Sequence, residues 1–259
     1  MILQNKVVFL TDADNETGRA IVRKMIEAGA HMILNSPSGG RSLSNELSRM
    51  SEAGLQAIVV QIDLCKSAVV AEMLQLAEQK IGAVDVFIHN SKFIHRASIE
   101  ACEEDDFMSS LSDNAKSAFI CTQAVGKQMM QKQTGKIIYV SSIHAEKPTG
   151  SAFAFSASKG AVKMLSKEAA LVLGRFGISV NTIEFGPVEG DNELFQSSLS
   201  TLYNDYEYKV PNAILGTHED LAELILFLSS DDARYINGAD IRLDGGFLLH
   251  YMNFKMKRP

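Results

Sequence analysis

The chain has 259 residues, of which 46% are hydrophobic and 22% charged, a composition typical of a globular protein with a full apolar core. Its formal net charge of −6 argues against a general nucleic-acid-binding surface, which would be basic. No apolar run approaches the roughly 20 residues that cross a membrane, and no signal-peptide pattern is present, so we expect a cytoplasmic protein. The three cysteines, Cys65, Cys102 and Cys121, lack paired spacing, so we interpret them as small apolar side chains and predict no metal site.

Short apolar runs alternate with longer amphipathic segments along the chain. A short apolar run predicts a buried strand, and apolar residues at helical spacing predict a helix. The predicted strands cover residues 6–10, 31–34, 56–62, 84–89, 136–140, 178–183 and 239–243. The predicted helices cover residues 18–28, 41–52, 66–80, 103–132, 151–174 and 218–229.

This order of elements predicts an α/β fold. Strands that alternate with helices form βαβ units, which give a parallel sheet with helices on both faces. Right-handed crossovers make it a doubly wound, Rossmann-type sheet of about seven strands in three α/β/α layers, with ligands at the carboxyl ends of the strands. We expect one domain over residues 1–259, with a lid-like insertion at residues 191–211 and a partly packed tail from residue 247.

The loop after the first predicted strand is acidic. In a dinucleotide site, glycines here let the backbone approach the pyrophosphate, which also meets the N-terminus of the following helix. This loop instead reads Thr11-Asp12-Ala13-Asp14-Asn15-Glu16-Thr17-Gly18. A carboxylate at 4 Å opposes a phosphate charge by about 4 kcal/mol at an effective dielectric near 20. We interpret the acids as helix caps that stand in for a phosphate; alternatively, they turn to solvent and a cofactor still binds weakly.

Several further segments follow in a fixed order: Asn114, Ser141-Ser142, Phe155-Ser-Ala-Ser-Lys159, Gly186-Pro187 and Asp244-Gly245-Gly246. Together with Thr11 and Gly18, they resemble the classical short-chain dehydrogenase/reductase family over residues 6–246. The resemblance implies a Rossmann-type fold and an oxidoreductase architecture, with NAD or NADP as the cofactor if one binds.

The resemblance implies four catalytic positions, Asn114, Ser142, Phe155 and Lys159. In the family, the serine orients the substrate, a tyrosine transfers the proton, the lysine lowers the pKa of that tyrosine and binds the nicotinamide ribose, and the asparagine holds a water. Phe155 stands at the tyrosine position and has no proton to give. General acid–base help is worth roughly 10²–10⁴ in rate, so the substitution predicts little ordinary redox activity.

The resemblance also implies six cofactor-contacting residues, which are Thr11, Gly18, Asp63, Asn90, Lys159 and Pro187. Asp12 and Glu16 replace two glycines of the family loop, and Ser36-Pro37 stands where an acid or arginine would select the ribose. Asp63 can equally be the N-cap of the next helix.

Two residues beside Asn90 have open interpretations. Lys92 replaces another family glycine and could neutralise the loop acids if the geometry allows. His89 is interpreted as a packed histidine at the end of a strand.

A relocated proton donor is an alternative. Tyr203, Tyr206 and Tyr208 lie in the predicted lid, and His144 follows Ser142 closely. We interpret the tyrosines as lid packing and His144 as a surface loop residue. The enoyl-reductase variant of the family would need a tyrosine at Ala152. The related haloalcohol dehalogenases use Ser, Tyr and Arg, which residues 155 and 159 do not supply.

Three functions remain open at this point. The preferred one is a degenerate family member that binds a small-molecule ligand or a partner without efficient hydride transfer. The alternatives are an NAD(P)(H)-dependent oxidoreductase with a relocated donor, and a non-catalytic subunit of a hetero-oligomer. In the family, the helices predicted at residues 103–132 and 151–174 form subunit contacts, which implies a homodimer or homotetramer; no nucleic-acid or membrane partner is expected.

Overall fold

The computed structural model describes residues 1–249, and the remainder of the predicted tail lies outside that range. The strands are β1 (Val7–Leu10), β2 (His31–Asn35), β3 (Ala57–Val60), β4 (Val86–Asn90), β5 (Gly135–Ser142), β6 (Ile178–Phe185) and β7 (Asp240–Leu243). The helices are α1 (Glu16–Ala28), α2 (Ser44–Glu52), α3 (Ser67–Ile81), α4 (Glu104–Ser110), α5 (Ser117–Lys132), α6 (Phe153–Leu173), α7 (Asp191–Phe195) and α8 (His218–Ser229).

The seven strands form one parallel sheet, in the order β3-β2-β1-β4-β5-β6-β7. This confirms the predicted doubly wound, Rossmann-type fold. Strand β1 pairs with β2 on one side and with β4 on the other, so the strand order reverses between β1 and β4. Ligands of such sheets bind outside the carboxyl ends of the strands at this reversal.

Two apolar cores lie on the two faces of the sheet. One face carries α1 and α8, whose Ile21, Met25 and Ile225 pack on β1 and β4. On the other face, α3, α5 and α6 cover Phe9 and Phe87. Parallel strands covered on both sides are apolar almost throughout, which is why short unbroken apolar runs predicted them correctly.

Two of the differences from the predicted helices concern the β1–α1 loop and the segment before β5. The segment predicted as one helix over residues 103–132 is α4 and α5 joined by a π-helical turn, Leu111–Lys116. Helix α1 begins at Glu16, two residues earlier than predicted, because Asn15 caps it. Neither feature changes the apolar periodicity, so neither leaves a mark on the hydrophobic pattern.

A third apolar cluster lies under residues 191–211. Helix α7 and the short 3-10 turn Tyr206–Tyr208 bring Phe195, Tyr203 and Tyr206 onto Phe155. This segment covers the carboxyl end of β5 and β6. Among residues 1–249, no helix is long and apolar enough to cross a membrane.

Candidate functional site

Two neighbouring spaces lie at the carboxyl ends of the central strands and share Asn90, Ser91 and Lys92 in their walls. The inner cavity is bounded by Ser142, Phe155, Lys159, Asp191 and His218, among others, and encloses about 40 Å³. This volume suits a few water molecules and is far below the roughly 300–1,000 Å³ of ligand pockets.

The outer cleft lies between the ends of β1, β2 and β4 and encloses about 380 Å³, within the range of ligand pockets. Its charged lining side chains are Asp12, Asp63, Asp113 and one cation, Lys92. Burial raises the pKa of Asp12 and Asp113, and the neighbouring Asp63 raises that of Asp113 further. The raised pKa values favour the neutral acids, but three carboxyl groups still face a single ammonium, and a carboxylate beside a bound diphosphate would repel it.

Lys159 lines the inner cavity and is almost completely buried. Its ammonium donates to the carbonyl oxygens of Ser91, at 2.5 Å, and Val140, at 3.2 Å. Burial lowers the pKa of Lys159 to about 7, although the nearby Asp12 carboxylate opposes this and Lys92 reinforces it. The lysine thus contacts two main-chain carbonyls and lies near the Asp12 carboxylate.

Phe155 is buried one helical turn before Lys159, and the ammonium lies 5.4 Å from the centre of its ring. The ring packs on Phe195, with the ring centres 5.7 Å apart. A hydrocarbon edge therefore faces the cavity where the family has a phenol. The cation–π contact stabilises a buried charge but transfers no proton.

Ser142 and Asn114 occupy different positions relative to the inner cavity. Ser142 lines it, and its hydroxyl accepts the His144 amide at 3.3 Å. Asn114 lies in the π-helical turn, where its amide group donates to Phe93 O and Ser158 Oγ and accepts from Ser91 Oγ at 3.0 Å. Ser91 therefore links Asn114 to Lys159 through its side chain and its carbonyl.

The β1–α1 loop keeps the backbone shape that glycine would favour. Asp12 has a φ of 46°, in the left-handed region that Asp tolerates better than most residues. A Cβ at Gly18 would lie 2.5 Å from Asp12 O, so this glycine is needed for the helix to pass over the loop. The carboxylate of Asp12 accepts from Asn15 Nδ2 at 2.6 Å.

The expectation that the loop acids cap α1 is wrong. Asn15 is the N-cap, and its side-chain oxygen accepts the Gly18 amide at 2.7 Å. Glu16 is exposed and reaches His218 Nε2 at 3.2 Å. An amide can cap the helix while donating to Asp12, which a carboxylate cannot do.

Asp14 binds a group of serines at the end of β2. Its Oδ1 accepts the hydroxyls of Ser36 and Ser42, both at 2.6 Å, and its Oδ2 accepts the Ser38 amide at 2.6 Å. Partial burial opposes ionisation, but the hydrogen bonds from Ser36 and Ser42 outweigh it and hold the pKa of Asp14 below its ordinary value. We call these three residues the serine cradle.

Lys92 does not pair with the loop acids through its ammonium, which lies 3.9 Å from Asp191 at the start of α7. Asp191 is buried and accepts the Val188 amide at 2.9 Å, and burial raises its pKa. His218 completes this side of the inner cavity and contacts Thr17 Oγ1 at 3.0 Å. No spacing in the sequence joins these distant segments, so Asp191 and His218 could not be found from it.

The remaining residues that were predicted to contact a cofactor lie around the inner cavity and the outer cleft. Thr11 Oγ1 donates to Asn90 O and accepts the Asn90 amide, which ties the ends of β1 and β4 together. Asp63 lines the outer cleft, but it is not a helix N-cap, because it accepts the Cys65 amide in the turn before α3. Pro187 does not line the inner cavity, although Gly186 and Val188 do.

His144 and His89 are both buried. The prediction that His144 is a surface residue is wrong: its Nε2 lies 2.8 Å from Tyr203 Oη. Burial lowers the pKa of His144 to about 4 and raises that of Tyr203. Phe195 packs on His144 with ring centres 3.8 Å apart. Phe195 lines the inner cavity, whereas His144 and Tyr203 do not. His89 is packed as predicted, with Nε2 2.8 Å from Ser117 Oγ.

Within the described residues, no cluster of three or more His, Cys, Asp or Glu side chains has the arrangement of a metal site. All three cysteines are free, and Cys121 is the fully buried one, whereas Cys65 and Cys102 are partly exposed. The interpretation as small buried side chains therefore holds fully only for Cys121.

Comparison with known proteins gives matches over almost the whole chain. A family model described as enoyl-(acyl carrier protein) reductase matches residues 13–248. The 2-dehydro-3-deoxy-D-gluconate 5-dehydrogenase of Formosa agariphila is 26% identical over 254 residues, covering 95% of this chain and 94% of that protein. The 3-oxoacyl-(acyl-carrier-protein) reductase of Staphylococcus epidermidis is 26% identical over 245 residues, covering 95% and 100%.

Solved structures also match almost the whole chain. A gluconate 5-dehydrogenase from Burkholderia cenocepacia in complex with NADP and tartrate has a TM-score of 0.85 at 26% identity, covering 95% of this chain and 96% of that one. A putative oxidoreductase from Escherichia coli has a TM-score of 0.84 at 26% identity, covering 96% and 99%.

Proposed function

Because the chain belongs to the short-chain dehydrogenase/reductase family, we propose that it keeps the oxidoreductase fold but acts by binding a ligand or partner, with little or no NAD(P)-dependent carbonyl or alcohol redox activity. The observation that carries this proposal is the buried ring of Phe155 beside Lys159. In carbonyl reduction the hydride adds to the carbonyl carbon and a proton donor protonates the oxygen; a phenyl ring has no proton to donate.

The residues at the position of the family's nucleotide site support the same proposal. Asp12 holds a carboxylate at the first position of the phosphate loop, and Asp14 occupies the serine cradle. The inner cavity of about 40 Å³ would have to open before a nicotinamide ring could enter beside Lys159. These are independent obstacles, since proton transfer and phosphate binding use different residues.

A relocated proton donor is the second candidate, and the His144–Tyr203 pair is the observation that favours it. The pair lies next to Phe155, with the ring centres of His144 and Phe155 6.4 Å apart. Phe155 and Phe195 line the inner cavity, whereas the pair does not, so a proton would have to pass two hydrocarbon rings. The tyrosine that the enoyl-reductase variant of the family would need at residue 152 is also missing, because residue 152 is alanine.

We also propose that the chain self-associates through α5 and α6. Phe119 and Val172 are about half exposed, and together with Met130 they line an apolar groove of about 490 Å³ between these helices. An exposed apolar groove of this kind marks an interaction surface. A second copy of this chain is the occupant that the family resemblance favours; a distinct subunit would make the chain part of a hetero-oligomer.

Turnover of wild type and Phe155→Tyr, with NADH or NADPH and a panel of ketones, tests the redox proposal. Phe155→Tyr is a matched variant, because it adds only the missing hydroxyl. We expect no turnover by the wild type, and turnover by the variant only to the extent that the nucleotide binds. Wild-type activity that the substitution leaves unchanged would sink the proposal, because the proton donor would then lie elsewhere.

A further inference from the structure

The side chain of Lys159 lines the inner cavity, and residue 155 offers it no group with which to exchange a proton. Its Nζ donates to the carbonyl oxygens of Ser91 and Val140, at 2.5 and 3.2 Å. A neutral amine has two N–H groups, so these two acceptors satisfy both of them. Because a carbonyl oxygen cannot donate to the lone pair of the amine, both contacts leave that lone pair free.

The surroundings of Lys159 make its neutral form accessible at neutral pH. Only 2% of the residue is exposed, and this burial lowers its pKa to about 7; Lys92 reinforces the shift and Asp12 opposes it. A lysine desolvated in this way is an activated nucleophile, because its lone pair is not occupied by a proton. The titratable groups that lie close to the amine or share the cavity wall with it are Asp12, His89, Lys92, Asp191 and His218.

The inner cavity has the size and the polar groups for a small carbonyl compound. Its volume of about 40 Å³, enough for a few waters, suits a molecule of about three non-hydrogen atoms. Ser141 and Ser142 both line it, and the buried Ser141 hydroxyl has no hydrogen-bond partner among residues 1–249. A carbonyl oxygen is an acceptor that such a hydroxyl can bind. Lys92 lines the same cavity with a side chain that is 40% exposed, so the cavity approaches the surface there.

We propose that Lys159 binds a small aldehyde covalently and reversibly, as an imine formed inside the inner cavity. The Nζ lone pair adds to the carbonyl carbon and forms the C–N bond, while one proton passes from nitrogen to the carbonyl oxygen. The resulting carbinolamine loses its hydroxyl group and the remaining N–H proton as water, so amine and aldehyde give imine and water without an oxidant or reductant. This inference deepens the proposed function, on which it rests for ligand binding without hydride transfer.

Trapping of the imine with cyanoborohydride tests the proposal on the full-length wild type. Acetaldehyde, which matches the cavity in size, is the probe, and peptide mass mapping locates the ethylated lysines. At pH 7 about half of the Lys159 side chains are neutral, against fewer than about one in a thousand for a lysine of ordinary pKa. We therefore expect Lys159 to be ethylated at least about tenfold faster than Lys66, whose side chain is 68% exposed. This ratio should fall between pH 7 and 10, as exposed lysines lose their protons.

Benzaldehyde is the size control, because it exceeds the cavity. It should modify Lys66 but not Lys159 in the wild type. Phe155→Ala removes the ring that bounds the cavity and should let benzaldehyde reach Lys159.

The wild-type series decides the matter even if Phe155→Ala fails to fold. Ethylation of Lys159 that is no faster than that of Lys66 would overturn the inference, as would wild-type Lys159 that reacts with benzaldehyde as fast as with acetaldehyde. A folded Phe155→Ala that still excludes benzaldehyde from Lys159 would also overturn it. Nucleotide-dependent ketone reduction by the wild type would instead contradict the proposed function, whereas trapping is measured without nucleotide, so the two failures are distinguishable.

Discussion

Lys159 is a buried ammonium beside the ring of Phe155, which has no hydroxyl group whose pKa the charge could lower. With a phenol at position 155, the ammonium would favour the phenolate; with phenylalanine, it is held by the carbonyls of Ser91 and Val140. Retaining a buried lysine has a cost, since burial lowers its pKa to about 7. That cost should be measurable as a dependence of stability on pH.

The direction of this pH dependence follows from the numbers of protons that the folded and unfolded chains bind. An unfolded lysine has a pKa of about 10.4, so between pH 7 and 10 the unfolded chain binds more protons at Lys159 than the folded chain. The free energy of unfolding therefore rises with pH through this group. We expect the stability of wild type relative to Lys159→Met, from urea unfolding at pH 6 to 10, to increase as pH rises above about 7.

Lys163→Met is the matched control on the same helix. Burial opposes the charge of Lys163, but the ion pair with Glu184 at 2.6 Å outweighs it and raises the pKa of Lys163. Its stabilising contribution is therefore fully present below the unfolded pKa of about 10.4 and constant over this range. A wild-type advantage over Lys159→Met that is equally flat would contradict the assignment of Lys159 as a titrating buried cation.

At the scale of elements, the β1–α1 turn keeps its shape although its glycines are gone. Asp12 adopts a φ of 46°, a conformation that costs a residue with a Cβ roughly 1–2 kcal/mol. The hydrogen bond from Asn15 offsets part of that cost. The turn therefore preserves the helix approach that suits a phosphate while presenting a carboxylate.

Comparing Asp12→Gly with Asp12→Ala separates the effect of backbone strain on stability from the effect of removing the carboxylate. Both substitutions remove the carboxylate, but only glycine relieves the left-handed strain. We expect Asp12→Ala to be less stable than Asp12→Gly by about 1 kcal/mol, measured by urea unfolding at neutral pH. Equal stabilities would mean that the turn relaxes in the alanine variant and that its shape is not enforced by the surrounding structure.

Helices and strands could be predicted from the sequence where the spacing of apolar residues determines them. Site residues could be predicted where they lie on the same helix or at the end of a strand. Phe155 and Lys159 share one helix, and Ser142 ends a strand, so their proximity could be expected from the sequence. The role of Ser91 could not be found, because it depends on contacts with Asn114 and Lys159 from two other elements. His144 was misjudged because the lid tyrosine that buries it, Tyr203, lies 59 residues away.

At the scale of the whole molecule, α5 and α6 leave an apolar face exposed. We expect sedimentation of the wild type to show a dimer or tetramer, and Val172→Glu to shift it to monomer, because a buried charge without a partner is costly. Leu76→Glu is the control, since Leu76 is similarly exposed on α3, away from this face. A monomeric wild type, or an oligomer that Val172→Glu leaves intact, would contradict the assembly.

The central claim is that this oxidoreductase fold no longer carries ordinary hydride transfer, because its own carboxylates occupy the nucleotide loop and Phe155 supplies no proton. Titration of the wild type with NADPH and NADH, followed by nicotinamide fluorescence and then by ketone turnover, tests it most directly. We predict no saturable binding at micromolar nucleotide and no turnover. Micromolar affinity for either nucleotide, together with reduction of any ketone, would contradict the claim.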